Sequence, residues 1–144
     1  MMGGRPRPVA PTLRDRRGRH GEDLAAAYLE GLGWDVLARR LRVGRAEIDV
    51  LAIEPGEPPS LVVVEVRSRS TSRFGSPEES VDAAKVHRLY RAAAELRSAG
   101  VLPDGRPLPR LPWRLDLVAV DDAPSIGPGA GGRALRHLRG LEPP

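Results

Sequence analysis

The sequence predicts one α/β domain, a mixed sheet flanked by helices, in the order α-β-β-β-α-β. Three observations carry this expectation. Two stretches repeat apolar residues at helical spacing, four others alternate or run apolar over strand-like lengths, and Gly- and Pro-rich loops separate them. A chain of 144 residues is long enough for one core and too short for two.

The elements follow in order. Residues 1–17 (MMGGRPRPVAPTLRDRR) carry three Pro and no apolar period, so a flexible Arg/Pro-rich arm is expected there. Leu24, Ala25, Tyr28, Leu29 and Leu32 then recur at helical spacing, and Gly31 and Gly33 close a helix over about 19–31. Three strands come next: Trp34–Leu41, Ala46–Ile53 (AEIDVLAI) and Leu61–Arg67 (LVVVEVR), the last rich in the β-branched residues strands favour. Gly44 suits a turn between the first two, and EPGEPPS links the second to the third, so an antiparallel meander is expected. After a polar loop at 70–77, Ser76-Pro77-Glu78-Glu79 resembles a helix start, with Pro at the first helical position and acids in the first turn. Val81, Ala84, Leu89, Ala92, Ala93 and Leu96 carry that period to about Ala99, and Gly100 stops it. Trp113–Val120 (WRLDLVAV) alternates as a fourth strand, and a Gly/Pro stretch at 123–132 leads to a short edge strand at Ala134–Arg139. The expected organisation is therefore an arm over 1–17, a domain over 18–122, and a Gly/Pro linker with a short edge strand over 123–144.

Composition excludes several classes. The chain has no Cys, so it has no disulfide framework, thiolate nucleophile or cysteine zinc site. No apolar run approaches the roughly 20 residues that span a bilayer, and the N-terminus lacks the apolar core of a secretory signal. A cytoplasmic protein with no membrane partner is expected. The net charge of +4 comes from the ends: residues 1–20 carry +5, residues 123–144 carry +2, and the middle carries −3. A basic arm either binds phosphate without sequence preference or is simply a solvated tail. The basic residues are 22 Arg and a single Lys, Lys85.

The informative residues are acids inside apolar strands. Asp49 lies between Ile48 and Val50, and Glu65 between Val64 and Val66. A desolvated carboxylate is costly unless paired, hydrogen-bonded or bound to a metal. Side chains two apart share a strand face, so Glu47 aligns with Asp49 and Glu65 with Arg67. Pairing of these strands through the 54–60 loop would bring Asp49 and Glu65 close together, where they repel unless a cation lies between them. Oxygen ligands without Cys suggest Mg²⁺ or Mn²⁺, and Glu22 near the start of the first helix could supply a third oxygen. Each acid also has a plainer explanation. Asp49 could pair with Arg45 or Arg67, Glu65 could pair with Arg69 or Arg40 on an exposed face, and Glu22 could be an acid favoured in a first helical turn. Asp116, between Leu115 and Leu117, reads as a structural partner of an Arg. His20 and His87 read as surface residues.

An acid, a short gap, then Glu-x-Lys on the next strand is the signature of the restriction-endonuclease-like, or PD-(D/E)xK, nuclease superfamily. Gly21-Glu22-Asp23-Leu24-Ala25, Ala46-Glu47-Ile48-Asp49 and Val64-Glu65-Val66-Arg67-Ser68-Arg69 resemble more narrowly the YraN-type bacterial family, similar in fold to archaeal Holliday junction resolvases. Phe74-Gly75-Ser76-Pro77, Lys85 and Arg114-Leu115-Asp116 sit where that family has corresponding elements, so the resemblance covers about 18–122. It implies a restriction-endonuclease-like αβββαβ core and a divalent-metal site with Glu22, Asp49 and Glu65 as ligands. It also implies endonuclease action on DNA phosphodiesters, with branched or damaged DNA as the expected substrate and a homodimer as the arrangement that cutting two strands would need. Asp49, Glu65, Arg67 and Lys85 would form the catalytic set, and Arg69 and Arg73 would contact nucleic acid.

One departure stands out. Where the signature has Lys, this chain has Arg67. Arg can stabilise charge but cannot act as a base. Either a bias toward Arg codons replaced Lys with function kept, or the site binds nucleic acid with weak or lost catalysis. Lys85, on the second helix, either projects toward the same site or is a solvated helix residue.

Overall fold

The computed structural model describes residues 13–69, 82–121 and 135–143. Its elements are α1 (Leu13–Gly31), β1 (Asp35–Val43), β2 (Ala46–Glu54), β3 (Ser60–Arg69), α2 (Ala83–Ala99), β4 (Trp113–Asp121) and β5 (Leu135–Leu138). The α/β architecture and the order αβββαβ are those expected from the sequence. Residues 1–12, the 70–81 segment with Phe74-Gly75-Ser76-Pro77, Arg73 and the Pro77 helix start, and the Gly/Pro stretch up to 134 lie outside the described residues.

Two boundaries differ from expectation. Helix α1 begins at Leu13, so residues 13–17, expected in the arm, are helical. No proline follows Pro11 until Pro55, and Arg is a good helix former, so the Arg-rich run extends the helix. Helix α2 is described from Ala83, and Asp82 caps it: its extended backbone (φ −76°, ψ 163°) lets its carboxylate accept the Lys85 N–H at 2.8 Å. Gly100 ends the helix at φ 70°, where its N–H donates to Leu96 O.

The five strands lie in the order β1-β2-β3-β4-β5. Strands β1, β2 and β3 form the antiparallel meander, β3 and β4 run parallel, and β5 returns antiparallel to β4. Parallel neighbours need a crossover, and α2 supplies it. Helices α1 and α2 cover opposite faces. Leu61 and Val63 of β3 pack with Val86, Leu89 and Leu96 of α2, whereas Val62 and Val64 pack with Ala25 and Leu29 of α1. Burial on both faces explains why β3 reads LVVV rather than alternating. Each wholly buried leucine, such as Leu29, Leu51 or Leu61, contributes about 2 kcal/mol by leaving water.

The segment after β4 ties both layers together. Leu135 packs on the α1 side and Leu141 on the α2 side. The Leu141 N–H donates to Leu115 O at 2.7 Å, and the Tyr90 hydroxyl donates to Leu141 O at 2.6 Å.

One irregularity positions the acids. Ala38 and Leu41 are three apart yet pack on the same side, as do Ile48 and Leu51. A regular strand would place them on opposite faces. Both strands therefore kink at one level, where Arg40 lies opposite Asp49 and adopts a left-handed φ of 50°. The β2–β3 pairing ends at Val50–Val64. Beyond that pair the strands separate, and Asp49 lies in the opening.

Candidate metal centre

The opening between β2 and β3 collects carboxylates from three elements. One oxygen each from Glu22 of α1 and Glu47 and Asp49 of β2 lie within 4.8 Å of one another. Beyond the last β2–β3 pair, the Val66 N–H donates to Asp49 Oδ2 at 2.8 Å. Glu65 stands beside the group. Its side chain is only 2% exposed, and its Oε1 meets Lys85 Nζ at 2.7 Å and Arg67 Nε at 3.4 Å. Its Oε2 is buried with no hydrogen-bond partner, and Arg67 Nε is also buried without an aligned acceptor.

The electrostatics follow from this crowding. Burial pushes the Asp49 carboxyl up to about 8, and the negative charges of Glu65 and Glu22 push the same way against the Val66 N–H, which favours the ionised form. Without a cation, burial and the neighbouring carboxylates therefore favour the protonated form of Asp49 at neutral pH. An orphaned buried carboxylate oxygen beside three clustered carboxylates, with no sulfur donor, matches what a hard divalent cation such as Mg²⁺ or Mn²⁺ needs.

Helix α1 delivers Glu22 by a close approach. A Cβ on Gly21 would lie 2.6 Å from Ser68 Oγ and 3.2 Å from Ser68 Cβ, so glycine lets α1 sit against β3. Arg40 Nε then donates to Glu22 Oε2 at 2.5 Å, and Arg39 pairs with Asp23. Two arginines of β1 thus anchor the neighbouring acids of α1.

A second polar network lies on the α1 face and is structural. Asp116 is fully buried, as an acid in an apolar strand rarely is unless satisfied. Arg114 Nε and Nη2 donate to its two oxygens at 2.8 and 3.1 Å, His137 Nε2 lies 2.8 Å from Oδ2, and the Gly140 N–H donates to Oδ1 at 3.1 Å. Arg114 also reaches Glu54 at 2.8 Å, and Arg139 pairs with the same carboxylate. Both guanidiniums lie 5.6 Å from the Trp34 ring centroid. His137 meets the Tyr28 hydroxyl at 3.0 Å through Nδ1.

The structure thus brings Glu22 and Asp49 together, as the sequence suggests, and adds Glu47 as the third member of the close group. Glu65 and Arg67 lie alongside, and Lys85 projects from α2 onto Glu65. Among the described residues, Asp49 takes the Val66 N–H rather than an ion pair with Arg45 or Arg67, and Glu65 is buried and meets Lys85 and Arg67 rather than Arg40. Arg69 is described as backbone only, and Arg73 is outside the described residues. His20 and His87 are exposed, and Asp116 does pair with an Arg. Sequence reasoning missed His137 and offered Arg40 to Glu65, whereas it pairs with Glu22. Arg40 carries no turn-type signal, and His137 lies on a strand too short to show a pattern. No described helix is long and apolar enough to cross a membrane.

The sequence profile of the Uncharacterised protein family UPF0102 matches residues 21–120. A UPF0102 protein of Arthrobacter sp. (strain FB24) is 40% identical over 129 residues, covering 89% of this chain and 97% of the relative. One from Moorella thermoacetica is 44% identical over 108 residues, covering 74% and 82%, and one from Deinococcus radiodurans is 36% identical over 120 residues, covering 81% and 92%. Among solved structures, Pyrococcus furiosus SfsA in complex with Ca²⁺ is similar at a TM-score of 0.39 and 14% identity, over 90% of this chain and 65% of that one. That structural likeness is too loose to assign a site. The profile and the relatives do settle the family: the chain belongs to the uncharacterised protein family UPF0102.

Proposed function

We propose that this protein is a divalent-metal-dependent endonuclease of the restriction-endonuclease-like type, YraN-like in its motifs, acting on DNA phosphodiesters in branched or damaged substrates. The observation that carries this reading is the buried, unpartnered Oε2 of Glu65 beside the Glu22–Glu47–Asp49 cluster. Lys85 and Arg67 meet only the other oxygen of that carboxylate, Oε2 has no hydrogen-bond partner among the described residues, and a buried polar atom without a partner is costly. Glu22, Glu47, Asp49 and Glu65 would hold the cation. When bound, it supplies charge that acidifies water and offsets charge developing on a phosphate.

The chain's own residues have distinct parts. Asp49 holds its proton at the carboxyl until a cation is bound and then gives it up, so binding strengthens as pH approaches about 8. Lys85 Nζ donates to Glu65 Oε1 and fixes the carboxylate. Arg67 adds positive charge and cannot take up a proton. Lys85 is therefore the ionisable cation of the site, in place of the Lys that the signature has at position 67.

A second reading is a nucleic-acid-binding module with weak catalysis. It rests on Arg67 and on the engagement of Lys85 with Glu65. One assay separates the two. Purified protein is incubated with labelled four-way-junction, flap, single-stranded and duplex DNA in Mg²⁺, Mn²⁺ or EDTA, then read on denaturing and native gels. Metal-dependent cutting that falls at least about 100-fold in Asp49→Asn and Glu65→Gln supports the nuclease. Binding without cutting supports the module, and cutting that survives both substitutions refutes the site.

A further inference from the structure

A groove of about 380 Å³ separates α2 from the β1–β2 hairpin, lined by Val43, Arg45, Ala46, Arg88, Arg91 and Glu95 among others. Arg45, Arg88 and Arg91 are exposed, and none of the three has an ion pair or hydrogen bond among the described residues. Other arginines of this chain are engaged: Arg39, Arg40, Arg67, Arg106, Arg114 and Arg139 each meet a carboxylate. Three guanidiniums and one carboxylate around a single groove leave a net +2, and like charges held together repel unless a ligand brings the opposite charge.

Position along α2 and β2 relates the groove to the acid site. Lys85, Arg88 and Arg91 are three apart on α2, and such a row slants across a helix surface with neighbours about 5–6 Å apart. The row starts at Lys85 on Glu65 and ends at the groove that Arg45 lines from the hairpin. The hairpin is also the end of β2 that carries Glu47 and Asp49. A polyanion whose reacting phosphate sits at the carboxylates would have its next phosphates beside these guanidiniums.

We infer that the Arg45–Arg88–Arg91 groove binds the DNA backbone flanking the bond at the acid site. This rests on the nuclease-like reading above and adds to it a surface that sets which way the strand runs. The groove meets phosphates, so it fixes register without reading sequence.

The test measures binding rather than cutting. Fluorescent duplex and four-way-junction DNA are titrated with the protein in EDTA, over salt from about 50 to 200 mM. Removing one phosphate-binding guanidinium lowers the slope of log affinity against log salt by about 0.9. The Arg45→Gln/Arg88→Gln/Arg91→Gln protein should bind about 10- to 100-fold more weakly at low salt, with a slope shallower by about 2–3. Each single substitution should lower it by about 1, so the proposal does not depend on the triple variant folding. Arg110→Gln, in the separate groove with Arg97 and Leu108, should bind as the parent does. A parent that binds DNA while the single and triple variants match its affinity and slope would overturn the groove and leave the acid site standing. A parent that binds neither DNA overturns both.

Discussion

Replacing Asp49 by Asn should make the metal-free protein more stable at pH 8 and leave it nearly unchanged at pH 5. Burial, reinforced by Glu65, raises this carboxyl from 3.8 to about 8 in the folded protein. Between about pH 4 and pH 8 the folded state holds a proton that the unfolded chain has released. Stability therefore falls as pH rises through that window, by at most about 1.4 kcal/mol per pH unit, and is fully present below about 4. The ceiling from pH 5 to pH 8 is about 4 kcal/mol, and water reaching the partly exposed carboxyl reduces this to about 2 kcal/mol. Asn does not ionise, and its carbonyl can still accept the Val66 N–H. At about 3–4 °C per kcal/mol for a chain of this size, the variant should melt roughly 6–8 °C above the parent at pH 8. The assay is circular-dichroism melting in EDTA across the pH range, repeated with Mg²⁺. The cation should stabilise the parent by about 2.7 kcal/mol at a hundredfold excess over its Kd, and the variant far less. An Asn variant that melts at or below the parent at pH 8 in EDTA would refute the argument from burial and crowding.

Three further outcomes follow from the same geometry. Gly21→Ala should cost about 1–3 kcal/mol and weaken divalent-cation binding, read by melting and calorimetry, because the new Cβ pushes α1 and Glu22 away from Ser68. Asp116→Ala should cost about 3–5 kcal/mol, because it leaves Arg114, His137 and the Gly140 N–H facing a buried void, and hydrogen exchange should then rise first at residues 135–138. Arg40→Gly should be close to neutral in stability: relief of a left-handed backbone, about 1 kcal/mol, offsets the loss of the Glu22 pair, about 0.2–1 kcal/mol. The same substitution should tighten Mg²⁺ binding severalfold by removing a positive charge from Glu22, and unchanged binding in calorimetry would count against a role for Glu22 in the site.

Much of the fold was legible because burial writes itself into the chain. The LVVV run announced a strand covered on both faces, WRLDLVAV announced β4, and Gly44 and Gly100 marked a turn and a helix end. The acids Asp49 and Glu65 were legible because a carboxylate within an apolar strand demands an explanation. What lay beyond reach depended on single dihedrals and long-range partners. Arg40 adopts a left-handed φ that Gly or Asn would have signalled, so the kink that turns Asp49 toward β3 left no trace. Glu47 joins Glu22 through that kink, and Lys85 reaches Glu65 only because the crossover helix lies across the sheet. The start of α1 was obscured because an Arg-rich run reads as a solvated tail by composition and as a helix by propensity. His137 and Arg139 matter through Asp116 and Glu54, partners 21 and 85 residues away.

The attachment of residues 135–141 to both layers has a consequence for how the chain is made. Until that segment has emerged from the ribosome, β4 is an open edge with its outer backbone groups unpaired, Asp116 lacks His137 and Gly140, and Tyr90 lacks its Leu141 acceptor. A nascent chain extending only to β4 therefore displays a long apolar strand ready to pair with any neighbour, which is the circumstance in which partly made sheets aggregate. Folding of this domain should be completed only when the short fifth strand arrives and closes the edge.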